Sequence, residues 1–302
     1  MYSIAYVLAA YLAANLAHRI LIFFRCRNWE KKITRDSSGI FSDAHPYNMG
    51  DGKIAILFIH GFADTPRVFY RMVQRLADTG DFSCYVIRLP GSGEIFAKAA
   101  KVTLEDMLVH IQQQTEQLRA KHETVFLAGH SMGAALALAT YFEKPASMDG
   151  VIALTPLIQV SRSQSPVLPA YVWYLLSSII FALSPVFESC FSADGIADDD
   201  PDFKYQRDRF IPFATYRTIF RLVKLLKTRA HKVTVPLFAV LAGKDRVVDT
   251  NAANAWLNKC PAEKTIMLLP ESKHTVLLGP EWLKITDSIA FFIKNNASYD
   301  HE

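Results

Sequence analysis

Five residues, Gly129-His130-Ser131-Met132-Gly133, constrain the fold of this chain most, because they join an apolar run at 124–128 to a helix-forming run at 134–141. A serine on a sharp turn between a strand and a helix is lifted above the end of a sheet, with its hydroxyl presented to a ligand. Glycines two before and two after it let neighbouring backbone pass without a Cβ in the way. A glycine-bearing turn with a solvent serine has the same letters, so the surrounding segments decide the reading.

Upstream, the apolar run 54–59 ends in His60-Gly61-Phe62. A buried strand ending this way carries the Phe62 amide to the place where an oxyanion would form. Phe62 N–H and the N–H of Met132, the residue after the serine, are the expected oxyanion donors. No run of glycines follows His60, so the loop is of the shorter kind. Thr65 then suits a helix N-cap and Pro66 the first helical position, opening a helix that closes at Gly80.

A serine hydroxyl needs a base, and the base needs a partner that fixes its tautomer. The apolar run 237–241 ends in Ala242-Gly243-Lys244-Asp245, which makes Asp245 the expected acid. Asp249 is the alternative, although its place before Thr250-Asn251-Ala252-Ala253 suits a helix N-terminus. The next strand, 265–269, is followed by Pro270-Glu271-Ser272-Lys273-His274. Of nine histidines, only His274 lies on the loop after the last strand, where the order serine, acid, histidine requires the base. His60 is expected to brace the oxyanion loop, and His130 to leave the turn in a direction unsuited to Ser131 Oγ.

These segments resemble the α/β-hydrolase superfamily, and within it the monoacylglycerol lipase, lysophospholipase and serine-aminopeptidase-like carboxylesterases. The resemblance covers about residues 50 to 296, through His60-Gly61-Phe62, Arg88-Leu89-Pro90-Gly91-Ser92-Gly93, the turn at Ser131, Gly243-Lys244-Asp245 and His274. It implies a mostly parallel sheet of about eight strands with helices on both faces, no metal and no organic cofactor. It leaves the substrate open. The serine separates the chain from haloalkane dehalogenases and epoxide hydrolases, which share the resemblance in fold but attack through an aspartate.

With 302 residues, 51% of them hydrophobic, the chain can build one α/β domain plus an insertion. Thr103-x-x-Asp106 has the form of a capping box before a helix from Leu104 to about His122. Cysteines at 26, 84, 190 and 260 show neither metal-ligand spacing nor a dense framework, so reduced thiols are expected. A net charge of +4 is too small and dispersed for a nucleic-acid partner.

The eighty or so residues between the strands at 151–154 and 237–241 exceed any ordinary crossover and read as a helical cap at 157–232. Its apolar part, 167–183, fits a lipid-binding lid, or simply packs the cap against the core. Asp198-Asp199-Asp200-Pro201-Asp202 lacks the glycine and distal glutamate of a calcium loop and reads as a solvated turn. The run 217–227 carries basic residues on one helical face and is expected to return the chain to the core with its charges outward.

At the N-terminus an apolar run, interrupted only by His18-Arg19, extends to Phe24. About twenty-three helical residues would reach ~34 Å, enough for a bilayer core. There is no basic side chain before the run and no Ala-x-Ala near its end, so a cleaved signal fits less well. Tyr11, Asn15 and Arg19 fall at four-residue intervals on one face, which leaves open a helix lying in the interface. Arg19, Arg25, Arg27, Lys31, Lys32 and Arg35 all lie at or after the end of the run, placing the catalytic domain on the cytoplasmic side. Cys26 is a candidate for acylation there.

The expected organisation is a membrane-associated helix at 1–28, a hydrolase core at 29–156 and 233–302, and the cap between. The expected activity is hydrolysis of carboxylic esters with an apolar acyl chain, of monoacylglycerol or lysophospholipid type, by Ser131, Asp245 and His274. A thioesterase or aminopeptidase would use the same three residues; a non-catalytic binding protein of the same fold is the competing class. Oligomeric state is not addressed by the sequence.

Overall fold

The computed structural model describes residues 2–164, 167–184, 186–189 and 194–297; Cys190 lies outside them. Helix α1 (Tyr2–Glu30) precedes strands β1 (Tyr47–Met49) and β2 (Ile54–Ile59), then α2 (Tyr70–Ala77) and β3 (Phe82–Ile87). Helices α3 (Phe96–Ala99) and α4 (Leu104–Arg119) lead to β4 (Thr124–His130), α5 (Met132–Glu143) and β5 (Gly150–Leu154). Between β5 and the next long strand lie α6 (Ala170–Ile180), the short strands β6 (Val186–Glu188), β7 (Asp194–Ile196), β8 (Lys204–Gln206) and β9 (Phe210–Pro212), and α7 (Phe213–Lys227). The chain ends with β10 (Leu237–Ala242), α8 (Thr250–Leu257), β11 (Lys264–Leu269) and α9 (Trp282–Asn296).

The main sheet has the order β1-β3-β2-β4-β5-β10-β11, with β1 antiparallel to β3 and all other pairs parallel. It has seven strands among the described residues rather than about eight. Ahead of β1 the chain makes only an isolated bridge, Arg35 with Phe41, and a 3₁₀ turn at Ser42–Ala44, so no further strand extends that edge.

Every residue of β2, β4, β5 and β10 is buried, as parallel strands covered on both faces must be. Side-chain parity sorts them into two cores. Ala55, Leu57 and Ile59 of β2 join Leu127, Ala153 and Leu241 under α4, α5, α7 and α8. Ile54, Ile56 and Phe58 join Phe126, Ile152 and Phe238 under α2 and α9. Each fully buried side chain of this size contributes about 1.5–3 kcal/mol relative to exposure. That burial fixes the sheet, and therefore the strand ends that carry the loops.

Local signals are largely realised. Thr103 and Asp106 make a reciprocal capping box at α4, which ends at Arg119, short of His122. Thr65 makes no side-chain cap; Pro66–Phe69 forms a 3₁₀ turn that feeds α2 instead. α7 buries Ile219, Leu222 and Leu226. In the acidic run, Asp199 accepts two bonds from Arg71, at 2.7 and 3.0 Å, and one from Trp282 at 2.9 Å, while Asp200 accepts from the Asp202 amide. Arg71 holds the Asp199 carboxyl below its usual range.

α1 is the one described helix long and apolar enough to cross a membrane, with a mean hydropathy of 1.7 over its window and 6% of that window buried. Only Asn15 is fully buried; Tyr11, His18, Ile22, Cys26 and Trp29 are half-buried along the same face. Arg19 is exposed, so the polar stripe that touches protein runs through Tyr11, Asn15 and His18.

Candidate active site

Ser131 sits between β4 and α5 with φ 56° and ψ −114°, a conformation that costs a non-glycine residue energy and is held by what surrounds it. Its amide donates to Leu154 O at 2.8 Å, and its carbonyl accepts from Leu157 N at 3.2 Å. Packing explains the glycines. A Cβ on Gly133 would stand 2.0 Å from Ile59 O, and one on Gly129 would stand 2.3 Å from the Gly133 carbonyl carbon.

His274 Nε2 is 2.9 Å from Ser131 Oγ, and His274 Nδ1 is 2.7 Å from Asp245 Oδ2. The Asp245 side chain is 0% exposed, and its other oxygen accepts from the amides of Val247 at 2.7 Å and Val248 at 2.9 Å. A carboxylate so held directs Nδ1–H toward itself, which leaves Nε2 as acceptor for the serine hydroxyl. Asp249 stands elsewhere: it caps α8 through the Ala252 amide at 2.9 Å and accepts from Gln159 at 3.0 Å.

The loop after β2 closes on the serine. A Cβ at Gly61 would be 3.3 Å from Ser131 Cβ, so Phe62 follows directly beside the hydroxyl. Met132 is the first residue of α5, where the backbone N–H has no intrahelical partner and the helix dipole is positive. His60 Nε2 accepts from Leu89 N at 3.1 Å, so its Nδ1 carries the proton that bonds Gly61 O at 3.0 Å. Burial lowers His60 to about 4, which keeps this brace neutral.

Thr155, Asp64, Tyr205 and Arg207, which sequence reasoning did not place, complete the surroundings together with His130. His274 O accepts from Thr155 Oγ1 at 3.1 Å and faces His130 Nε2 at 3.2 Å. Burial, then the neighbouring His274, lowers His130 to about 4, so it is a neutral Nε2–H donor. Asp64, buried behind the oxyanion turn, accepts from Tyr205 Oη at 2.9 Å and pairs with Arg207 at 3.6 Å, tying the segment after β5 to the core. Burial holds the Tyr205 phenol well above its usual range, so it remains a donor. Thr155 directly after a strand was visible in sequence; the Asp64 partners, well over a hundred residues away, carried no local signal. The non-glycine residues with positive φ are Ala63, Ser131 and Thr155, all at this site, among the described residues.

Ser131 lies where two cavities meet. One, of about 510 Å³, is lined by Leu157, Trp173, Tyr174, Phe187, Phe213 and Phe220 among others. The other, of about 620 Å³, is the more polar of the two, with Asp64, Asp194, Arg207, Arg246, Lys273 and His274 on its walls beside Ile196, Val247 and Leu278. α6 roofs the apolar one through Ala170, Trp173, Tyr174 and Ser177.

A mostly parallel sheet with helices on both faces and a serine, carboxylate and histidine on the loops after β4, β10 and β11 defines an α/β-hydrolase. Within that class the chain belongs to the family described as serine aminopeptidase, S33, whose model matches residues 50–281. It is similar to a thermostable monoacylglycerol lipase of Bacillus sp. (strain H-257), 24% identical over 265 residues that span 85% of this chain and 97% of the relative. Among solved structures it is similar in fold to the monoacylglycerol lipase of Paleococcus ferrophilus, at TM-score 0.70 and 18% identity over 84% of this chain and 99% of the other. A soluble variant of monoglyceride lipase from Saccharomyces cerevisiae, with a substrate analogue, aligns at TM-score 0.69 and 15% identity over 84% and 92%.

Proposed function

We propose that this chain is a membrane-associated hydrolase of carboxylic esters with an apolar acyl chain and a small polar alcohol, of the monoacylglycerol type. The observation that carries the reading is the position of Ser131 at the boundary between an aromatic cavity and one whose walls carry several charged side chains. An amphiphilic ester laid across that boundary puts its tail under α6, its head among Arg207, Arg246 and Lys273, and its carbonyl at the serine. Relatives named as monoacylglycerol lipases support the same substrate class.

On this reading Ser131 Oγ attacks the carbonyl as His274 Nε2 takes its proton. Asp245 keeps the imidazole in the required tautomer and stabilises its cation. The Phe62 and Met132 amides receive the oxyanion. His274 then protonates the leaving alcohol, and a water activated by the same imidazole releases the acid from Ser131. Residues 157–232 act as the cap and residues 1–28 as the membrane-associated helix, with the basic cluster after α1 on the cytoplasmic side.

The test is a series of glycerol and p-nitrophenyl esters of rising chain length. Specificity should climb by about tenfold or more from acetyl to medium-chain acyl groups, since each buried methylene contributes about 0.8 kcal/mol. A maximum at acetyl, or faster cleavage of aminoacyl amides than of esters, would reject the assignment.

A further inference from the structure

The polar face of α1 is spent on the end of α6. Tyr11 Oη donates to Ile179 O. Asn15 Nδ2 donates to Ile180 O at 2.8 Å, and Asn15 Oδ1 accepts from Leu183 N at 3.3 Å. His18 Nδ1 lies 2.9 Å from Ser184 Oγ, and its ring is 4.5 Å from that of Phe181. The last carbonyls of a helix have no intrahelical donors, and water normally serves them. Here side chains of another helix do so, and Asn15 and Ser184 are only 3% and 2% exposed.

The surface around this buried seam is apolar. Leu8, Leu12 and Leu16 of α1 and Leu176 and Ile179 of α6 all face outward and are exposed. Toward its C-terminus α1 changes character: Arg25 pairs with Glu188, and Arg27, Lys31 and Lys32 follow. If that charged end marks the headgroups, Tyr11 lies about 21 Å further along the helix axis. At such a depth irregular backbone persists only where protein groups satisfy it.

We infer that α1 and the C-terminal half of α6 enter the bilayer together, with Tyr11, Asn15 and His18 sealing the α6 backbone from the lipid tails. The apolar cavity under α6 then opens onto hydrocarbon, and an acyl chain passes from leaflet to pocket without crossing water. The occupant of the exposed α1 and α6 faces is the acyl region of a phospholipid bilayer. Asn15 is a positioning residue. Its bonds to Ile180 O and Leu183 N fix the backbone on either side of Phe181, whose ring is 5.8 Å from that of Phe187 in the cavity wall. The inference rests on the membrane reading above, since α1 must be embedded for the seam to be.

The full-length protein is labelled with bimane at Ile179→Cys or at Leu8→Cys, each in a Cys26→Ser, Cys190→Ser background. It is then reconstituted in phosphatidylcholine–phosphatidylglycerol vesicles. Acyl-brominated lipid should quench both labels, and aqueous iodide neither. Adding Asn15→Leu, which makes α1 more apolar, should cut lipid quenching at 179 by about threefold or more while leaving position 8 unchanged. The same variant should raise KM for a long-chain monoacylglycerol in vesicles by about tenfold, with kcat on a short soluble ester within about twofold. A label at 179 quenched by iodide while that at 8 is quenched by lipid overturns the paired insertion and leaves the membrane reading standing. Iodide quenching at both positions overturns both. Unchanged quenching at 179 in Asn15→Leu removes the seal.

Discussion

Around Ser131 the chain is buried without interruption from residue 124 to residue 141, whereas α6, which roofs the same serine, has no buried residue at all. The turn is fixed by parallel strands on either side, by two close-packed glycines and by backbone bonds to the segment after β5. The roof is held by aromatic contacts such as Tyr174 on Phe213 at 4.6 Å, and by the side chains of α1. Bond-making groups need fixed positions to within fractions of an ångström, which a close-packed interior supplies. Admitting a long, variable tail needs a wall that can yield, which a one-sided helix supplies.

The comparison predicts where damage will be chemical and where it will concern access. Ser131→Ala should lower turnover by about 10⁶ and abolish labelling by a fluorophosphonate probe, with the thermal midpoint unchanged. Labelling at a different serine in that variant would move the reaction out of the buried turn altogether.

A pair of aspartates four positions apart sharpens the same contrast within one loop. Asp245→Asn should cost about 10³ to 10⁴ in turnover through loss of tautomer control. Asp249→Asn keeps a competent N-cap and should change turnover by less than about tenfold. Equal losses would mean that the loop acts as a whole rather than through the carboxylate on His274.

The smallest effect belongs to the roof side. Asp208, half-buried and accepting from Gly93 N at 3.1 Å, has its carboxyl raised by desolvation to about 7. The native state therefore holds a proton that the unfolded chain releases near pH 4, and this group's contribution to stability falls as pH rises from about 4 to about 7. In thermal melts across that range, Asp208→Asn should remove a decline of a few degrees and leave activity on short esters intact. A decline of the same size in the variant would assign it to other groups.

What could be read from the sequence follows the same division. Ser131, Asp245 and His274 each sit just past a contiguous apolar strand, so the linear pattern locates all three at one end of the sheet; Phe62 follows by the same logic. The strand count could not be read as easily, because β1 has only three residues and the chain before it resembles any other loop. Long-range partners were invisible. The contacts of Asp64 with Tyr205 and Arg207 depend on a segment whose path no local signal describes. The stripe through Tyr11 and Asn15 was visible as polarity, yet its meaning waited on the end of α6, more than 160 residues away.

The main-chain carbonyl of His274 is anchored to residues at the ends of β4 and β5, through His130 and Thr155, as well as to its own loop, where it accepts from Val276 N at 3.0 Å. With the carbonyl held by three groups, the imidazole can swing about its side-chain bonds between serine and leaving group, as a gate swings on a braced post. The loop at 270–278, which also borders the second cavity, shares with β4 and β5 the task of keeping the base in register. Because these holds act on the backbone carbonyl, the cavity-lining side chains of Lys273 and Leu278 can change to suit a new alcohol while the proton-transfer geometry is inherited, and a designer seeking altered head-group preference would begin there.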